Sequence, residues 1–75
     1  MGFTNLEKTR IEYLNHIDSY IDTVSSVRVV NITEQQRILR ILYNLREILG
    51  RDEAEESIKT YKMMIPQVEQ YISML

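Results

Sequence analysis

Cysteine is absent from the chain and histidine occurs once, which removes disulfides, thiolate nucleophiles and cysteine zinc sites, and leaves little for imidazole chemistry. With 2 Gly and 1 Pro, neither a loop-rich nor a low-complexity organisation fits. No apolar run approaches the roughly 18 residues that a bilayer span needs, and Glu7, Lys8 and Arg10 interrupt any signal-peptide core. Met1-Gly2-Phe3-Thr4-Asn5-Leu6 begins like a myristoylation signal, but Leu6 stands where Ser or Thr is required and no polybasic segment follows. The expectation is a cytoplasmic chain with no membrane partner. Charge of one sign is lacking too: 9 Lys and Arg against 11 Asp and Glu give a net charge of −2, so the whole molecule is not drawn to nucleic acid or to anionic lipid.

What is present is the composition of an ordinary folded protein, 44% hydrophobic and 27% charged over 75 residues. That length holds one small domain, residues 1–75. Leu6, Tyr13, Ile17, Tyr20, Val24 and Val27 recur at spacings of three and four, broken only at Arg10, and predict a first helix over about residues 5–26. Thr4 is its expected N-cap, with Glu7 as capping-box partner and Phe3 packing on the first turns. Leu14 and Ile21 widen the stripe, so this helix faces two neighbours. The β-branched stretch Val27-Arg28-Val29-Val30-Asn31 predicts a short extended connection. Asn31-Ile32-Thr33 also fits a glycosylation pattern, but Thr33 is better read as a cap in a chain without a secretory signal.

Thr33-Glu34-Gln35-Gln36 predicts a second helix over about residues 34–49, ended by Gly50 in a left-handed conformation. Asp52 as N-cap and Glu55 as its reciprocal partner predict a third helix over about residues 53–75. Along it Ala54, Ile58, Tyr61, Ile65, Val68, Ile72 and Leu75 keep helical spacing through Pro66, which predicts a kink there or a break that opens a fourth helix. Short connections make consecutive helices antiparallel, so the fold class expected is an all-α, up-down-up three-helix bundle.

Charge is partitioned along the chain. Arg28, Arg37, Arg40, Arg46 and Arg51 make a basic centre between acidic flanks, an arrangement that lets adjacent helices screen one another or offers a site to an acidic partner. Apolar residues exceed what a bundle needs. Ile38, Ile41, Leu42, Leu45, Ile48 and Leu49 form the core stripe of the second helix, while Leu39 and Tyr43 project well to one side of it. On the third helix Met63 and Met74 lie nearly opposite Ile58 and Ile65, and Met64 and Tyr71 widen the stripe. A domain this small draws only about 3–5 kcal/mol from its core, and oligomerisation is a common supplement.

No chemical constellation reaches the threshold of a site. His16 has Glu12 and Tyr20 one turn away but no second imidazole or thiolate, and Asp18 and Ser19 diverge from it on the same helix. The acids Asp52, Glu53, Glu55 and Glu56 lack a glycine-containing calcium loop and suit a helix start. Placed at the head of a recognition helix, they would repel DNA. The sequence therefore predicts a non-enzymatic interaction module without cofactor or metal. It is expected to form a homo-oligomer, a dimer first, and to bind another protein as inhibitor, adaptor or assembly factor. The anchors expected are Leu39, Tyr43, Met63 and Tyr71, oriented by Arg37, Arg40 and Arg46. The alternative is a nucleotide or nucleic-acid binder using Arg28, Arg37, Arg40 and Arg51.

Overall fold

A computed structural model describes residues 5–28 and 31–75. It contains three helices, α1 (Asn5–Ser26), α2 (Ile32–Arg51) and α3 (Ala54–Ser73), and each packs against the other two. The body measures 47 × 18 × 18 Å, elongated along helices that are each about 30 Å long. The expected cap at Thr4, the packing of Phe3 and the conformation of Val29 and Val30 fall outside the described residues.

The three-four spacings become the core. Ile17 and Val24 of α1, Ile38, Leu42, Leu45 and Leu49 of α2, and Val68 of α3 are fully buried. Ile41, Ile58, Tyr61, Ile65 and Tyr71 complete the buried hydrophobic set, and Ser57 is the buried polar residue among the described residues. Tyr13 stacks on Tyr61 at 3.9 Å between ring centres with the planes 12° apart, an aromatic contact that fixes α1 against α3. Arg10, the interruption in the stripe of α1, donates to the backbone oxygen of Asp52 at 3.0 Å and to Glu7 at 2.8 Å. Its stem thus reaches the α2–α3 turn, and Leu6, one turn earlier, stays half exposed.

The helix ends differ from the expectation in three places. α2 starts at Ile32, because the Asn31 side chain accepts from the Glu34 N–H at 3.1 Å; Asn caps at least as well as Thr, and the earlier start adds helical residues. Glu34 then pairs with Arg37 and does not close a capping box. Gly50 does not end α2: the helix runs to Arg51, and no described residue outside or at a glycine has a left-handed backbone. Asp52, extended, instead closes α2 by donating its N–H to the Ile48 oxygen at 2.8 Å. With its carboxylate beside Arg51, Asp52 is not the cap of α3; Glu53 holds that position without a side-chain cap bond. α3 passes through Pro66 as one helix, so no fourth helix begins there.

Candidate interaction surface

The residues expected to engage partners sort by burial. Tyr43 is 51% exposed and Met63 79% exposed, on α2 and α3 respectively, after the core is complete. Leu39 is half-buried and packs against the core. Tyr71 belongs to the core at 7% exposure, so it is not an available anchor; the stripe of α3 rotates slightly and buries Tyr71 more deeply than Ile72. Its hydroxyl is buried without a hydrogen-bond partner. Met74 and Leu75 are exposed.

The arginines are largely occupied. Arg37 forks onto Glu34 at 2.6 and 3.2 Å and reaches Gln67 on α3 at 2.8 Å. The hydrogen bonding from Arg37 lowers the pKa of the Glu34 carboxyl from its ordinary value. Arg51 pairs with Glu47 at 2.9 Å and Asp52 at 3.4 Å, and Arg46 reaches across to Asp18 of α1 at 3.4 Å. Arg28 and Arg40 are exposed and form no ion pair among the described residues. The expected anion-binding set is therefore not one free cluster: two of its members are bound to carboxylates of their own chain.

Two shallow clefts flank Arg37. One, of about 240 Å³, lies between α2 and α3 and is lined by Glu34, Arg37, Gln67, Gln70, Tyr71 and Met74. The other is lined by Thr33, Gln36, Arg37 and Arg40. In the first cleft the Glu34 carboxylate is already paired with Arg37. His16 is an exposed residue of α1 with its ring 6.4 Å from Tyr13 and 6.5 Å from Tyr20. Among the described residues no group of three or more acids or histidines is placed to hold a metal ion, and no helix is long and apolar enough to cross a membrane.

Ile11, 40% exposed, and Ile32, 60% exposed, were not among the expected anchors. Ile32 reads as a connection residue once the start of α2 is set at Glu34. Ile11 follows the interrupting Arg10, and its signal is the spacing Ile11, Leu14, Asp18, Ile21, a second three-four line on α1. No protein-family model matches the chain, and no curated protein or solved structure matches it significantly.

Proposed function

We propose that this chain is a non-enzymatic helical interaction module that self-associates and binds another protein, its helices arranged up, down and up. Two contacts support the arrangement: Gln35 donates to the Val24 oxygen and Arg46 meets Asp18, so that later residues of α2 lie beside earlier ones of α1. Arg37 beside Gln67, an early residue of α2 next to a late one of α3, supports the same antiparallel order for α2 and α3. The observation that carries the functional reading is the exposure of Tyr43 and Met63 on helices whose core faces are already filled. Tyr and Met are residue types that interfaces favour, and Met adapts to irregular surfaces. Anion binding has the weaker support, since Arg37 and Arg51 are neutralised within the chain.

The test is the pair of variants Tyr43→Ala and Met63→Ala. Helical circular dichroism is expected to stay unchanged while self-association or partner capture is lost in at least one of them. Retention of both activities in both variants contradicts the proposal, and loss of helicity would assign the residue to the core.

A further inference from the structure

Beyond its core stripe, α2 carries a second line of residues at spacings of four and three: Ile32, Gln36, Leu39, Tyr43, Arg46 and Gly50. On this face Ile32 and Tyr43 are exposed and Leu39 is half-buried. Gly50 sits in ordinary helical backbone, and a Cβ added there would meet nothing within 4 Å. Glycine is the poorest helix former after proline, and nothing inside one chain requires it at this position. A second helix passing close over α2 would use the space it leaves. On α1 the line Ile11, Leu14, Asp18 and Ile21 runs alongside, joined to the α2 line where Asp18 meets Arg46. Both partners of that ion pair are more than half exposed.

Resting on the reading of the chain as a self-associating module, we infer that the α1–α2 side is covered by a second copy of this chain, related by a two-fold axis parallel to the helices. Charge chooses the occupant and the axis. Asp22 of α1 and Arg40 of α2, the latter beside the cleft it lines with Thr33, Gln36 and Arg37, flank the two lines, and the side chain of neither forms an ion pair or hydrogen bond within the described chain. Their heights match: Asp22 lies between Asp18 and Val24, which meet Arg46 and Gln35, and Arg40 lies between those two. A two-fold axis along the helices lays α1 of one copy on α2 of the other, level for level, so each Asp22 faces the second copy's Arg40 and the contact is made twice. An axis across the helices would lay α1 on α1, acid against acid, and is disfavoured by repulsion.

The experiment is light scattering and sedimentation of the full chain and of Asp22→Arg, Arg40→Asp and their combination, each checked for helicity. The intact chain is expected to reach the mass of two chains as concentration rises. Each single reversal is expected to weaken dimerisation about tenfold, the effect of two modest exposed pairs replaced by repulsion, and the double reversal to restore it. A dimer that ignores both reversals, or single losses that the combination fails to restore, overturns the inference. If Met63→Asp breaks such an indifferent dimer, the module reading survives with a different face. A chain that stays single at every concentration also overturns the second-copy inference, and the module reading then stands or falls separately on whether Tyr43→Ala or Met63→Ala abolishes partner capture.

Discussion

Tyr61 and Tyr71 share the core, yet their hydroxyls act on stability in different ways. The Tyr71 hydroxyl is buried and unpartnered, and an unsatisfied buried donor costs about 1–3 kcal/mol. Tyr71→Phe removes that cost while keeping the ring, so urea unfolding of the variant is expected to show unchanged or higher stability, by up to about 1 kcal/mol. A clear loss would mean that the hydroxyl has a partner in solution. Tyr61 matters for pH. Burial, aided by Tyr20, Glu69 and Tyr13, pushes its hydroxyl well above the ordinary tyrosine value of 10.0. Burial and Glu69 also raise Tyr20. The folded state therefore resists an ionisation that the unfolded chain undergoes freely. This contribution to stability is intact below about pH 10 and declines as pH rises above it. Tyr61→Phe is expected to flatten that alkaline decline, measured as the unfolding midpoint against pH; an equally steep decline in the variant would assign it to other groups.

Periodicity made the helices legible and capping did not make their ends so. Ile17, Val24, Leu42 and Val68 could be assigned to the core from three-four spacing alone, because a stripe that long has one way to be buried. The start of α2 was ambiguous: Asn31 and Thr33 both cap well, and the choice depends on where α1 ends and on Gln35 reaching the Val24 oxygen. Such a contact, 11 residues apart in sequence, leaves no local signature. The same holds at Gly50, where Arg10 holding the Asp52 oxygen accompanies an extended, non-glycine end to α2. The capping geometry gives a direct check. Asn31→Ala is expected to cost about 1 kcal/mol, and Thr33→Ala, now inside the first turn, only a few tenths. The reverse order in thermal or denaturant unfolding would return the cap to Thr33.

For the whole molecule, the surplus of apolar residues was visible in the sequence, but its distribution was not. Leu39 and Tyr71, both expected outside, pack in or against the core, whereas Ile11 and Ile32 lie exposed. A helical wheel fixes directions on one helix; how far each face is covered depends on where the neighbouring helices sit. The charge pattern behaves likewise. Arg46 of basic α2 meets Asp18 across the α1–α2 boundary, but Arg37 and Arg51 pair within α2 itself, with Glu34 and Glu47. Arg40 and Asp22 are left over on the side where the apolar seam also remains.

We propose that this uncovered side is an interface. Its most direct test is the solution mass of the unaltered chain, measured by light scattering over a wide range of concentration. A rise from the single-chain 9.0 kDa to twice that value is the predicted result. A mass that stays at one chain throughout, with Tyr43→Ala also leaving partner capture unchanged, would contradict the claim.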